Sequence, residues 1–113
     1  MSLNYIADQF VFWNLKKIKH GYLELTDYRG TTHYFGKNDS ELKAHININD
    51  PSFTRKLLRK GSSGLGESYI NSEFETNDLP SLIELSAQNI DITYKFSGLL
   101  NMPFLQTILN KFV

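Results

Sequence analysis

The sequence predicts an α+β domain in which helices pack on a small antiparallel sheet. Apolar residues recur at helical spacing near the N-terminus and again after residue 50, whereas short segments between residues 22 and 48 alternate apolar and polar side chains. Of the 113 residues, 41% are hydrophobic and 13% are aromatic, so the chain can bury a core of its own. We therefore expect one domain over residues 1–113.

The first element is a helix predicted over residues 4–19. Ile6, Phe10 and Trp13 share one helical face, and the basic residues 16–20 suit a helix C-terminus, where the macrodipole favours cations. Packing of the apolar face on the domain is the simpler interpretation. The alternative is that Phe10 and Trp13 face a lipid or a membrane, as in helices that lie in the bilayer interface.

A core of sheet and helices is predicted over residues 21–89, and it begins with three strands. The segment Tyr22–Thr26 alternates strictly, a turn follows at Asp27–Gly30, and Thr31–Phe35 is rich in residues of high β-propensity. The alternation returns in Leu42–Ile48. Three antiparallel strands with one solvated face are the expected result.

A second helix is predicted over residues 52–60. Asp50 is the expected N-cap and Pro51 the first helical residue, because proline lacks the N–H that this position leaves unpaired. The outward cations of the helix form an ordinary solvated end in one interpretation. In the other they face an anionic membrane, where each contributes about 1 kcal/mol. These cations are Arg55, Lys56, Arg59 and Lys60.

Three glycines, Gly61, Gly64 and Gly66, fall within six residues after this helix. Such a cluster either cradles a ligand with backbone N–H groups or lets two elements approach closely. A Walker A loop needs lysine where Leu65 stands, and a dinucleotide-binding fingerprint needs a third glycine where Tyr69 stands. We therefore expect a short helix packed closely on the sheet, with Leu65 and Tyr69 buried.

The sequence after the glycines predicts a turn and a short strand that connect this segment to a further helix. We expect a turn at residues 71–72, a short strand over residues 73–76 and a helix that is capped by Asp78 and runs to about residue 88. Glu67 is expected to be structural, bonded to backbone or paired with one of the two arginines of the preceding helix. The apolar segment 90–113, with a final helix predicted at about 103–112, must bury itself against the domain, a partner or further chain.

Composition argues against several classes of function. Twelve basic residues balance twelve acidic ones, so no global field attracts nucleic acid and no such partner is expected. The absence of cysteine excludes thiolate catalysis and cysteine-based zinc sites. The histidines, His20, His33 and His45, lack the spacing of a metal pair, so no metal is expected, and we predict the last two to be surface residues of strands.

No stretch of the sequence is apolar enough to span a bilayer. The longest uninterrupted apolar run, residues 10–13, is far shorter than the ~20 residues that a membrane-spanning helix needs. The N-terminus also lacks the basic region of a secretory signal peptide. We expect a cytoplasmic protein, either without membrane contact or attached peripherally to the inner face of the cell membrane.

Five motifs follow one another in the chain: Gly21-x-Leu23-x-Leu25-x-Asp27-x-x-Gly30, Phe35-Gly36, Ala44-x-Ile46-x-Ile48-x-Asp50-Pro51-x-Phe53, Gly61-x-x-Gly64-Leu65-Gly66-Glu67-Ser68-Tyr69-Ile70-Asn71 and Phe74-Glu75-Thr76-x-Asp78-Leu79. Together they resemble the N-terminal region of cyclopropane-fatty-acyl-phospholipid synthases and related S-adenosylmethionine-dependent methyltransferases. The resemblance covers about residues 21–85. Two positions depart from the family pattern, Ser72 for a usual glycine and Phe74 for a usual tryptophan.

The resemblance implies a non-catalytic N-terminal domain that binds lipid or associates with a membrane. Its expected partners are a phospholipid or acyl chain, an anionic membrane surface and a methyltransferase domain. S-adenosylmethionine would belong to that catalytic domain, no part of which is present, and no cofactor is expected here. The alternative is an interaction domain that docks on the catalytic domain or forms a homodimer. The order of strands and helices is also similar to sterol-carrier-protein-type lipid-binding domains.

Overall fold

The computed structural model describes residues 3–89 and 91–92, with the backbone alone for residues 61–64. Residues 3–89 form three helices and four strands, which confirms the α+β class. In chain order they are α1 (Leu3–Leu15), β1 (Tyr22–Thr26), β2 (Thr32–Gly36), β3 (Lys43–Ile48), α2 (Phe53–Ile70), β4 (Phe74–Glu75) and α3 (Leu79–Gln88). The predictions for the segment 90–113 fall outside the described residues, apart from residues 91 and 92.

The sheet is mixed, with the strand order β2-β1-β3-β4. β1 pairs antiparallel with β2, from Tyr22 opposite Gly36 to Thr26 opposite Thr32, and β4 pairs antiparallel with β3. β1 and β3, however, run parallel. The expectation of a wholly antiparallel sheet is therefore wrong at this pair. The alternation of side chains predicts which face of a strand is buried, but it carries no information on the direction of the neighbouring strand.

A junction of two glycines allows this topology. β2 ends beside the start of β1, and the connection over residues 37–42 then passes around Gly21 to reach β3. The Lys37 N–H donates to the Gly21 carbonyl at 3.1 Å, and the Tyr22 N–H donates to the Leu42 carbonyl at 3.0 Å. Gly21 and Gly36 both have φ of +88°, and a Cβ on Gly36 would lie 2.2 Å from the Gly21 carbonyl oxygen. Only glycine fits such a conformation at such a distance.

The core lies between one face of the sheet and the helices, and the other face of the sheet is open. α1 packs on α2, and α3 packs on β3. The strand residues that point into the core are Leu23, Leu25, Phe35, Ala44, Ile46, Ile48 and Phe74, and the helices add Val11, Phe12, Phe53, Leu82 and Leu85. On the open face Tyr34 is 61% exposed. The predicted single solvated face is confirmed.

Helix α1 ends at Leu15, four residues earlier than predicted. Residues 16–18 leave the helix in a tighter turn, and the buried side chain of Asn89 then binds the residues that follow. Its amide oxygen accepts from the backbone N–H groups of Lys19 (3.0 Å) and His20 (3.2 Å), and its amide nitrogen donates to the His20 carbonyl at 2.8 Å. These bonds hold residues 19–20 in a non-helical conformation, so the apolar and basic pattern overestimates the helix.

Helix α2 begins at Phe53 rather than at Pro51. The Asp50 carboxylate accepts from the backbone N–H of Ser52 at 2.9 Å and from its hydroxyl at 2.8 Å, which forms a turn over residues 51–52. Ser52 is the N-cap residue, although its side chain makes no capping hydrogen bond. The expected roles of Asp50 and Pro51 are therefore wrong. Asp50 closes a turn before the helix instead of capping it, and Pro51 lies in that turn instead of being the first helical residue.

Helix α2 continues through the glycines for 18 residues, so the predicted end at residue 60 is wrong. The helix is not straight. The Phe74 ring contacts the rings of both Phe53 (5.3 Å between centroids) and Tyr69 (5.7 Å). A straight helix would separate these two residues, sixteen positions apart, by ~24 Å, which their side chains cannot close around one phenyl ring. The glycines and serines of residues 61–64 are the kind of sequence at which helices kink.

The close-packing interpretation of the glycines is wrong for Gly66. A Cβ on Gly66 would meet no atom within 4 Å. Tyr69 is 41% exposed rather than buried, and Leu65 is partly buried against the core. The turn and the strand that follow were predicted correctly in outline, with β4 over two residues, and Asp78 caps α3 by accepting from the Ser81 N–H at 3.2 Å.

Candidate functional site

An apolar cavity of about 150 Å³ lies between the sheet and the helices. Every layer of the domain contributes to its wall: Val11 and Leu15 from α1, Leu25 from β1, Ile46 from β3, Leu57 from α2 and Leu85 from α3 are among the lining residues. Among the described residues, none of those that line it carries a charge. None of the residues that were predicted to face a lipid or a membrane is among the residues of its wall.

The two arms of the bent helix α2 both line this cavity. Phe53 and Leu57 lie on the arm before the glycines, and Leu65 lies on the arm after them. The bend is held on its inner side by Glu73, which accepts from the Lys56 ammonium at 2.9 Å and from the Ser68 hydroxyl at 2.9 Å. The glycine-rich stretch therefore shapes the wall of the cavity without contributing a ligand-binding loop.

Three polar side chains also line the cavity, and each uses its donors within the protein. The Thr54 hydroxyl donates to the Asp8 carboxylate, and the Ser86 hydroxyl donates to the Leu82 carbonyl at 3.0 Å. The third, Asn89, donates one amide N–H to the His20 carbonyl and another to the Leu85 carbonyl. The cavity therefore offers hydrocarbon surface, and its polar groups serve the fold.

The outer face of α1 carries exposed apolar side chains beside cations. Trp13, the single tryptophan of the chain, is 62% exposed, and Tyr5 and Ile6 are exposed on the same helix. The Lys16 ammonium lies 5.6 Å from the Trp13 ring centroid. Phe10, the other aromatic residue proposed to face a membrane, is instead partly buried against the core. The structure thus separates the two predicted membrane-facing residues of α1.

Two of the four cations that were candidates for phosphate contact are held by carboxylates. Lys56 pairs with Asp50 at 3.0 Å and with Glu73 at 2.9 Å. The hydrogen bonds that Lys56 donates, first to Glu73 and then to Asp50, raise the pKa of Lys56. Arg55 is partly buried and Arg59 is exposed. The cations therefore do not form one continuous surface that faces solvent.

Glu67 is the partner of the fourth cation. Its carboxylate accepts from the Lys60 ammonium at 2.7 Å, across nearly two turns of α2. The expected pairing of Glu67 with an arginine is thus corrected to a pairing with Lys60. The Glu67 side chain is 58% exposed, and an exposed pair of this kind contributes about 0.2–1 kcal/mol at most. Glu67 is consequently a minor determinant of stability.

Asp8, Asp27, His33 and Thr54 form a polar cluster at the end of the sheet that the sequence did not predict. His33 faces the core side rather than the open face: its ring lies 4.7 Å from the Phe12 ring centroid, and its Nε2 lies 2.9 Å from the Asp27 carboxylate. Partial burial raises the pKa of Asp27, but hydrogen bonds from His33 and two backbone N–H groups outweigh it, so this pKa lies below its usual value. Burial raises the pKa of the nearby Asp8, although the hydrogen bond from Thr54 opposes it.

This cluster closes the β1–β2 turn and joins α1 to α2, and its bonds are accounted for by that role. The prediction of an ordinary surface position is wrong for His33, whereas His45 lies on the outward face of β3. Among residues 3–89 and 91–92, no group of three potential metal ligands occurs. In the same part of the chain, no helix is both long and apolar enough to cross a membrane.

Comparison of the chain with protein-family models, with curated proteins and with solved structures found no match. The family resemblance therefore depends on the motifs themselves. The structure bears on one of its departures, because Ser72 has a φ of +58°, in the left-handed region that favours glycine. The backbone at residue 72 thus has the conformation that suits the glycine usual at this position of the family pattern.

Proposed function

We propose that this chain is a non-catalytic domain that binds lipid and associates with a membrane surface, as the N-terminal domains of cyclopropane-fatty-acyl-phospholipid synthase-like methyltransferases are expected to do. The observation that carries the proposal is the apolar cavity between sheet and helices, because ligand sites are concave and mostly apolar. The exposed Trp13, with Lys16 beside it, supports contact with a bilayer interface, where aromatic rings and cations are both favoured.

The chemistry of a parent methyltransferase would lie outside these 113 residues. S-adenosylmethionine and the transfer to a phospholipid acyl chain belong, in this proposal, to a catalytic domain. The present chain would hold or present the lipid. The polar clusters of the described residues support this division, because they join helices and turns and none places a nucleophile beside a base and an oxyanion donor.

Binding to vesicles tests the proposal, and the single tryptophan reports on it directly. The full chain should sediment with vesicles that contain phosphatidylglycerol, and its Trp13 emission should shift to shorter wavelength as the ring leaves water. Trp13→Ala should weaken sedimentation roughly tenfold, because burying a large apolar side chain contributes about 1.5–3 kcal/mol and only part of this ring is expected to insert.

Tyr34→Ala is the matched control for the vesicle experiment. Tyr34 is an aromatic residue of nearly the same exposure as Trp13, but it lies on the open face of the sheet. Its loss should leave sedimentation unchanged. Absence of binding to anionic and neutral vesicles at low salt would refute the proposal, and an equal loss in both variants would refute the role of α1.

A second candidate function is an interaction domain that docks on a catalytic domain or forms a homodimer. The open sheet face favours it, because Tyr34 and Tyr22 stack there with ring centroids 6.2 Å apart and Tyr34 remains exposed. Aromatic residues are enriched in protein interfaces. Light scattering on the Tyr34→Ala variant separates the two candidates, since a dimer that this face forms should dissociate while vesicle binding persists.

A further inference from the structure

We infer that the cavity takes the methyl-terminal end of a lipid hydrocarbon chain and leaves every polar group of the lipid outside. The inference depends on the proposed lipid-binding function, and it specifies which part of the lipid the domain recognises. Three features of the cavity, as the described residues form it, support the inference. No charged side chain lines it, its polar side chains donate their hydrogen bonds within the protein, and its volume is small.

The first two features exclude the polar end of a lipid from the cavity. A carboxylate or a phosphate needs N–H or O–H donors when it leaves water, and an unpaired buried anion is strongly disfavoured. The part of the wall that the described residues form includes no lysine, arginine or histidine. The donors of Thr54, Ser86 and Asn89 are all directed to Asp8 or to backbone carbonyls of the protein. A head group inside the cavity would therefore lose its hydration without replacement.

The volume limits the occupant to a short length of chain. An apolar cavity of 150 Å³ in another protein is known to hold a molecule of the size of benzene, which has six carbons. The cavity of about 150 Å³ here can therefore hold a segment of similar size, and not a whole acyl chain or a sterol. The rest of a longer chain must lie outside, toward the head group and the membrane.

A pair of probes of equal shape tests this selectivity. Benzene should bind the 113-residue chain, raise its melting temperature and shift the NMR resonances of methyl groups in the cavity wall. Pyridine has the same size but carries a nitrogen that accepts a hydrogen bond, so it should bind at least tenfold more weakly. We expect the largest shifts at Leu57 and Leu65, one on each arm of α2.

Two filling variants and a control locate the probe. Leu65→Phe and, independently, Leu57→Phe should abolish benzene binding, because the larger side chain occupies the cavity. Ile83→Phe makes a similar change at a residue of α3 that is 56% exposed and does not line the cavity, so it should leave benzene binding intact. Two filling positions are used because one of them alone could prevent folding.

The outcomes distinguish this inference from the proposed function. Benzene binding that both filling variants lose and Ile83→Phe keeps would support the inference. Equal binding of pyridine, or no binding of benzene by a chain that still sediments with vesicles, would overturn the inference and leave the proposed function standing. Benzene binding without any vesicle binding would overturn the assignment of the cavity to a lipid chain.

Discussion

Two sets of glycines differ sharply in what the fold requires of them. Gly21 and Gly36 stand alone in the sequence, yet both have φ of +88° and approach each other so closely that a Cβ on Gly36 would overlap a carbonyl oxygen. The three glycines of α2 are conspicuous in the sequence, but Gly66 is in a regular helix with empty space beside it. The local density of glycine is therefore a poor guide to its structural necessity, which depends on φ and on nearby atoms.

The difference follows from topology. At the Gly21 and Gly36 junction three segments of chain meet, namely the start of β1, the end of β2 and the connection to β3, and backbone approaches backbone. In α2 the contacts that hold the bend are made by side chains on either side of the glycines, through Phe74 and Glu73. Glycine makes α2 easier to bend, whereas it makes the junction possible.

The largest effect is expected at the junction. Gly36→Ala should destabilise the domain by more than about 3 kcal/mol, because alanine is strained by about 1–2 kcal/mol at positive φ and its Cβ must also displace the Gly21 backbone. Chemical denaturation measures the loss. The control is Gly30→Ala, where φ is +89° but no atom lies within 4 Å of a Cβ, so about 1 kcal/mol is expected. Equal losses in the two variants would show that close approach contributes nothing.

A smaller effect of opposite sign is expected in α2. Gly66→Ala should stabilise the domain by about 0.5–1 kcal/mol, since alanine restricts the unfolded chain and the helical site has room for its methyl group. The same denaturation experiment measures it. A destabilised variant would mean that the bend of α2 passes through Gly66 and needs its conformational freedom.

The smallest effect is expected just after α2, at a residue that has the backbone of a glycine without being one. Ser72→Gly should stabilise the domain by about 0.5 kcal/mol, because relief of strain at a φ of +58° is partly offset by the greater freedom of glycine in the unfolded chain. Ser72→Ala is the control: it keeps a Cβ and should give no gain. A gain in the alanine variant would assign the effect to the hydroxyl instead of to the backbone.

Local chemistry accounts for the parts of the fold that the sequence predicted well. The alternation in Tyr22–Thr26 and Leu42–Ile48 places Leu25 and Ile46 in the core, and Asp78 caps its helix as aspartate commonly does. Each of these features depends on residues within a few positions of one another. The cavity cannot be predicted in this way, because its wall combines residues of every layer.

The features that were mispredicted depend on distant residues. Asn89 holds residues 19–20 in a non-helical conformation through hydrogen bonds, and Phe74 and Glu73 stabilise the bend of α2 from beyond its end. No pattern of period two or 3.6 contains such information. The inward orientation of His33, by contrast, follows from its place two residues before the buried Phe35 on β2, and only its contacts with Phe12 and Asp27 depend on the folded chain.

The sequence by itself determined the class of the fold, the buried faces of β1 and β3 and the helix that Asp78 starts, because periodicity and capping act over short distances. The tertiary structure alone decided that β1 and β3 run parallel, since a strand pairs by its whole backbone and either direction buries the same face. It also decided where glycine is indispensable. Gly36 is constrained by the carbonyl of Gly21, fifteen residues earlier, and only the folded chain brings that oxygen to within 2.2 Å of the missing Cβ.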